Sequence, residues 1–121
     1  MLQGTLIAES IRVGAEVDRV RLVTRKIRRA ALGDVSAGQP EVWTVIEFEA
    51  EEPDAGALAQ ALAQALERPG WYADFRSPQE TFVVYSGRVF RYPRGDSQAR
   101  AEAAAYGRSV GVPEEELDWP V

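Results

Sequence analysis

Five residues in the second half of the chain combine acidic, basic and phenolic side chains at short spacing: Tyr72, Asp74, Arg76, Glu80 and Arg91. The first three alternate along the sequence, so a β-strand would place them on one side, and hairpins would bring Glu80 and Arg91 beside them. Two carboxylates next to two arginines can orient an anionic or amide ligand, and a desolvated carboxylate can transfer protons near neutral pH. A structural network of arginine–carboxylate pairs is the favoured interpretation of the cluster. If the cluster has a function, we predict that it is a binding site without a catalytic residue.

The sequence contains neither cysteine nor histidine. Disulfides, thiolate nucleophiles, Ser-His-Asp triads and metal sites built on cysteine or histidine are thereby excluded. Acid–base chemistry near neutral pH would need a carboxylate or lysine with a strongly shifted pKa. We expect no metal and no cofactor, and a catalytic function is the less favoured interpretation.

Two other charged stretches are explained by local structure without a ligand. Glu114–Glu116 with Asp118 resembles a carboxylate cluster for a hard cation, but it lacks the alternating ligand spacing of a calcium loop and follows Pro113, where acidic residues favour a helix start. The basic run at residues 19–29 is best explained as a cross-strand charge ladder with the glutamates of residues 47–51. Nucleic-acid binding is disfavoured because the formal net charge is −5.

The composition indicates one globular domain, residues 1–121. Hydrophobic residues make up 45% and charged residues 27% of the chain, proportions of an ordinary folded protein. Apolar runs stay far below the roughly 18 residues that a membrane span needs. The first residues lack the basic stretch and apolar core of a signal peptide. We predict a cytoplasmic protein without a membrane partner.

Hydrophobic periodicity predicts the element order βββ-α-βββ-α. Residues 17–31 fit both a helical stripe and strand alternation, and their density of β-branched side chains favours a strand. Pro53-Asp54 opens the first helix, and Asp96 is placed to cap the second. The other predicted strands are Thr5–Ile11, Glu41–Ala50, Trp71–Arg76, Glu80–Tyr85 and Arg88–Tyr92.

These elements predict an α+β fold: a mainly antiparallel sheet of five or six strands with two helices packed on one face. Ser86-Gly87 is a two-residue hairpin turn, and Ser77-Pro78-Gln79 is taken as a three-residue loop. With that loop length, opposed residues sort into two faces. The predicted core face holds Trp71, Ala73, Phe75, Thr81, Val83, Tyr85, Phe90 and Tyr92, and the predicted outer face holds Tyr72, Asp74, Arg76, Glu80, Phe82, Val84, Val89 and Arg91.

The same alternation turns Trp43 and Val45 outward, while Ile46, Phe48 and Ala50 face the core. The outer face then carries many apolar side chains among its charged ones, which is typical of an interface. Its predicted interface residues are Trp43, Val45, Phe82, Val84 and Val89. We expect a homodimer or another protein partner to cover them. A terminal segment containing Trp119 and a ligand groove are the alternatives.

The C-terminal half resembles a group of small uncharacterised bacterial proteins. The resemblance lies in residues 70–75, 89–92 and 94–96 and in the stretch Ala105–Pro113. It implies a cytoplasmic stand-alone domain and brings no activity, ligand or catalytic residue. Two functions stay open: a non-catalytic binding or interaction domain that self-associates through its sheet, and, as the alternative, a small enzyme or ligand-binding protein that uses the arginine–carboxylate cluster.

Overall fold

The computed structural model describes residues 1–32 and 39–121, and within them six strands form a single sheet in the order β2-β3-β1-β4-β5-β6. All neighbouring strands are antiparallel. The strands are β1 Leu2–Ile7, β2 Val23–Ala31, β3 Val42–Ala50, β4 Tyr72–Arg76, β5 Glu80–Tyr85 and β6 Arg88–Pro93; the helices are α1 Ala55–Ala65 and α2 Ser97–Ser109; short 3-10 helices span Ala8–Ser10, Glu52–Asp54 and Glu114–Glu116. The predicted α+β class and antiparallel sheet are confirmed.

Several local predictions are also confirmed. The ambiguous segment is a strand, although it begins only at Val23. Asp96 caps α2, where its carboxylate accepts a hydrogen bond from the backbone N–H of Ala99 at 3.0 Å. The Ser86-Gly87 turn pairs Tyr85 with Arg88. The first strand, in contrast, starts and ends earlier than predicted and is a central strand between β3 and β4.

Close packing at this central strand depends on Gly4. A Cβ atom there would lie 2.6 Å from both Phe48 Cζ and Phe75 Cβ. Those distances are shorter than van der Waals contact, so only glycine lets the two phenylalanines close over the strand. Phe75 in turn stacks on Phe82, with ring centroids 4.6 Å apart.

The connection between β4 and β5 is shorter than the predicted three-residue loop. Ser77 pairs with Glu80, and the Ser77 N–H donates to the Glu80 carbonyl at 2.9 Å. The Ser77 hydroxyl oxygen also accepts hydrogen bonds from the N–H groups of Gln79 and Glu80, at 3.2 and 2.9 Å. These bonds close the turn around Pro78 and Gln79 alone. The register therefore shifts by one residue, and Arg76 opposes Thr81 rather than Glu80.

A shift of one residue exchanges the faces of β5 and β6 relative to β4. Phe82 and Val84 join Phe75 on the face covered by α1, which we call the α1 face. This is the opposite of the predicted assignment, which is wrong for these two strands. Leu58 and Leu62 of α1, with Leu66 directly after the helix, cover the α1 face. The sheet residues buried beneath them are Leu2, Leu6, Phe48, Ala50, Ala73, Phe75, Phe82 and Val84.

The second helix packs on the other side, the α2 face. Val83, Tyr85 and Tyr92 of the sheet are buried there against Ala103 and Ala104. The prediction that both helices pack on one face is therefore wrong, because each face of the sheet has its own apolar surface and its own helix. Residues 112–120, the C-terminal segment, extend this layer, with Val112, Leu117 and Trp119 buried in the same cluster.

Candidate functional site

A cleft of about 460 Å³ lies on the α2 face, between the strands β2, β3, β1 and β4 and the C-terminal segment. The strands form its floor, and residues 115–120 form one wall. The volume is within the range of small-molecule sites. The smaller hollows among the described residues measure about 200 and 260 Å³.

Alternation along β4 places three of the predicted site residues in this cleft. Tyr72, Asp74 and Arg76 point to the same side and are half-buried. Asp74 is opposite Thr5 of β1 on one side and Val83 of β5 on the other. The Asp74 side chain therefore rises from the middle of the sheet, where neighbouring strands shield it from solvent.

Aromatic side chains surround the polar groups, and all three tryptophans of the chain line the cleft. The rings of Trp43 and Trp71 are in contact, with centroids 5.1 Å apart and planes tilted by 51°. Trp119 meets the edge of Tyr72 at 5.3 Å. The Trp43 indole N–H donates to the Pro40 carbonyl at 2.8 Å, which fixes its ring on the floor.

The wall formed by the C-terminal segment is held by hydrogen bonds to the sheet and to α2. The Trp119 indole N–H donates to the Tyr92 hydroxyl at 2.8 Å, and the Arg100 guanidinium donates to the Trp119 carbonyl at 2.7 Å. The Tyr72 hydroxyl donates to the carbonyl of Glu116. These bonds fix the segment over the sheet and bring the side chains of Glu115, Glu116 and Asp118 to the cleft.

The environment of Asp74 disfavours its charged form. Burial raises its pKa to about 6, with the Arg76 guanidinium opposing and the Asp118 carboxylate reinforcing the change. Among the described residues, none donates a hydrogen bond to the Asp74 carboxyl group. It is therefore a half-buried acid whose hydrogen-bonding capacity is unused within the described part of the protein.

Two neighbours of Asp74 are perturbed in the same direction. Burial, followed by the carboxylates of Glu115 and Asp118, raises the pKa of Glu116 to about 7. Burial, followed by the carboxylates of Asp74 and Asp118, also raises the pKa of the Tyr72 hydroxyl. Tyr72 therefore stays protonated and keeps its hydrogen bond to the wall, whereas Asp74 and Glu116 both change charge close to neutral pH.

The five predicted binding residues do not converge. Tyr72, Asp74 and Arg76 share the cleft, but Glu80 and Arg91 lie on the α1 face. There Arg91 donates two hydrogen bonds to the Glu80 carboxylate, at 2.7 and 2.8 Å, and its guanidinium lies 4.9 Å from the centre of the Phe82 ring. The predicted convergence is wrong, and the register shift at Ser77 is its cause.

The predicted interface residues are divided in the same way. Trp43 and Val45 line the cleft on the face opposite α1, as their alternation predicted. Phe82 and Val84 are at most 1% exposed beneath α1, and Val89 packs against that core. The predicted continuous outer surface is therefore not present in the described protein, since α1 covers one half and the C-terminal segment covers part of the other.

Sequence reasoning missed most of the cleft wall. Trp71, assigned to the core face, lines the cleft beside Trp43. Glu116 and Asp118 were interpreted as part of a helix start in preference to a cation site, and no group of three or more acidic residues in the described ranges is arranged to hold a metal ion. The available signal was the alternation of Leu117 and Trp119 with charged residues, which marks a segment lying flat on another surface.

No protein-family model, curated protein or solved structure matches this chain. The function must therefore be inferred from the geometry of the site. Within the described ranges, no helix is long and apolar enough to cross a membrane.

Proposed function

We propose that this protein binds a small organic molecule in the cleft between the sheet and the C-terminal segment. The observation that carries the proposal is the Asp74 carboxyl group, which lies deep in the cleft without a hydrogen-bond donor among the described residues. A carboxylate that is partly removed from water is stabilised by a charged or hydrogen-bonding partner. A ligand that donates a hydrogen bond to Asp74 would supply that partner.

The rest of the cleft has the features expected of such a site. Ligand pockets combine an apolar, largely preformed lining with a few polar groups that fix orientation. Here four aromatic side chains contribute to the lining, and they are held by contacts with one another and by hydrogen bonds to the backbone. The cost of ordering the side chains is therefore met in folding rather than on binding.

Self-association through the sheet, the function first expected from the sequence, has less support. It relied on Phe82, Val84 and Val89, and these side chains belong to the core under α1. The alternative of a ligand-binding protein keeps Tyr72, Asp74 and Arg76 as a group. It is non-catalytic in this proposal, and a cytoplasmic location stays a prediction from the sequence.

The test is a ligand screen that uses intrinsic signals of the protein and needs no label. Because all three tryptophans line the cleft, a bound ligand should change intrinsic tryptophan emission as well as raise the thermal midpoint. The panel should contain amines, amino acids, sugars, nucleosides and carboxylic acids at millimolar concentration. We expect at least one compound to change both signals.

Two variants make the screen specific. Asp74→Asn removes the carboxylate from the cleft, whereas Asp18→Asn removes an exposed carboxylate elsewhere and serves as the matched control. The ligand should lose affinity for Asp74→Asn and keep its affinity for Asp18→Asn, with circular dichroism confirming that both variants fold. A panel without any hit, or hits that bind Asp74→Asn as tightly as the unaltered protein, would contradict the proposal.

A further inference from the structure

We infer that the ligand is an organic cation: a protonated amine or a quaternary ammonium group attached to an apolar body. The inference rests on the proposed binding function and goes further by naming the chemical class. It follows from the combination of an unpaired carboxyl group, an excess of acidic side chains and aromatic side chains that line one cleft.

The charges lining the cleft favour a cation over an anion. Four carboxylates face two guanidinium groups, so the cleft is acidic when all are ionised. The carboxylates belong to Asp74, Glu115, Glu116 and Asp118, and the guanidinium groups belong to Arg28 and Arg76. An anionic ligand would have to approach Asp74 against this excess of like charge.

Arg28 is placed where it interferes little with a cation at Asp74, whereas Arg76 lies two residues along β4 and competes for the same carboxylate. Arg28 belongs to β2 and is opposite Val45, so β3 and β1 separate it from β4. Arg76 also lines a second hollow, and the acidic excess of the cleft remains with Arg76 counted. A cation at Asp74 would lie closer to the acidic wall of the C-terminal segment than to Arg28.

The aromatic lining supplies the second component of cation recognition. Indole rings attract cations most strongly among the aromatic side chains, because the ring face carries negative electrostatic potential. Trp43, Trp71 and Trp119 contribute to the lining from three different parts of the chain. Trp71 is 7% and Trp119 is 2% exposed, so the half-buried Trp43 offers most of the ring surface that would contact the ligand.

A pH dependence provides an independent readout. The pKa values of Asp74 and Glu116 are raised to about 6 and about 7, so part of each population is protonated near neutral pH. A cation between them favours the ionised forms, so binding should release protons and tighten from pH 6 to pH 8. The other titratable groups facing this space are Tyr72, Arg76 and Arg28 from the strands and Glu115 and Asp118 from the C-terminal segment.

The deciding experiment compares three probes of nearly equal size and different charge. They are 2-phenylethylammonium, 2-phenylethanol and phenylacetate, titrated into the full chain at pH 8 and followed by tryptophan emission and calorimetry, with tetramethylammonium as a cation without a ring. We expect at least one cation to bind at least tenfold more tightly than the alcohol, and phenylacetate to bind more weakly still. The affinity of the tightest-binding cation should fall at least tenfold for Asp74→Asn and stay unchanged for Asp18→Asn.

The outcomes separate this inference from the proposed function. If the alcohol or phenylacetate matches the best cation, or if neither cation binds, the cation inference is overturned. In either case, an Asp74-dependent hit in the wider panel would leave the binding function standing. If the wider panel also gives no hit, both the cation inference and the proposed binding function are contradicted. Because the probe series uses the unaltered protein, it decides the question even if Asp74→Asn does not fold.

Discussion

Alanine substitution of two helical glycines should change stability in opposite directions. Gly56 in α1 is exposed, and a Cβ atom there would meet nothing within 4 Å. Gly107 in α2 is buried, and its Cβ atom would lie 2.6 Å from the Tyr85 hydroxyl oxygen and 2.8 Å from Leu117 Cδ2. The same chemical change is therefore free of contacts in one helix and sterically blocked in the other.

The expected magnitudes follow from this difference. At both positions alanine improves helix propensity by about 1 kcal/mol. At Gly107 the extra methyl group overpacks the core, which costs about 1–3 kcal/mol. It also pushes against the Tyr85 hydroxyl, which donates to the Ala103 carbonyl at 2.8 Å, and losing that bond costs about 1 kcal/mol more. We expect Gly56→Ala to stabilise by about 0.5–1 kcal/mol and Gly107→Ala to destabilise by about 1–3 kcal/mol.

Urea unfolding followed by circular dichroism measures both values, with Gly56→Ala as the matched control for the propensity gain. The slope of the unfolding transition should be unchanged in both variants, so that midpoints report stability. Displacement of Leu117 should also loosen the C-terminal segment and shift tryptophan emission to longer wavelength only in Gly107→Ala. If Gly107→Ala were as stabilised as Gly56→Ala, the packing of the C-terminal segment against α2 would be refuted.

Two further substitutions test the site and the core. Because the pKa of folded Asp74 is raised to about 6, the unfolded chain binds fewer protons there between about pH 4 and pH 6, and wild-type stability falls as pH rises through this window. Asp74→Asn should therefore raise the free energy of unfolding by up to about 3 kcal/mol at pH 8 and by little at pH 4. An equal increase at both pH values, measured by urea unfolding, would contradict the raised pKa of Asp74. Val84→Glu should unfold the protein, because Val84 is 0% exposed, whereas Ile27→Glu, at a position 62% exposed, should keep a native circular dichroism spectrum. A folded, cooperative Val84→Glu protein would contradict the burial of Val84 beneath α1.

Local patterns in the sequence predicted the elements well because local physics determines them. A capping aspartate and a Ser-Gly hairpin turn each depend on residues only a few positions apart, and both are present as predicted. The strand at Val23–Ala31 followed from its β-branched residues in the same way. The fold class could therefore be read from the sequence.

The arrangement of the elements could not be predicted with the same success, since it depended on one turn. Both a three-residue loop at residues 77–79 and a two-residue turn at Pro78-Gln79 are compatible with the sequence. The Ser77 hydroxyl group decides between them by accepting two backbone hydrogen bonds. Each bond contributes only about 1 kcal/mol, yet the outcome moves Glu80 and Arg91 out of the predicted site.

The C-terminal wall of the site was hidden for a different reason. Residues 112–120 have neither a long helix nor a strand, so periodicity predicts little about where they lie. Their position is set by tertiary contacts, chiefly the hydrogen bonds that tie Trp119 to Tyr92 and Arg100. Such contacts join residues 19 and 27 positions apart. The alternation of Leu117 and Trp119 therefore indicates that the segment lies on a surface without showing which surface it is.

One signal in the sequence does distinguish the two registers, and it concerns hydroxyl groups. Strands β5 and β6 carry Phe82 and Val84 on one alternation and Tyr85 and Tyr92 on the other. The core beneath α1 is made of leucine, alanine, phenylalanine and valine side chains, which offer no partner to a tyrosine hydroxyl. The predicted register would bury both hydroxyls there, at about 1–3 kcal/mol each. The observed register turns them to the α2 face, where Tyr85 donates to Ala103 and Tyr92 accepts from Trp119. The need of two tyrosines for hydrogen-bond partners thus supports the register that places Asp74 in the cleft.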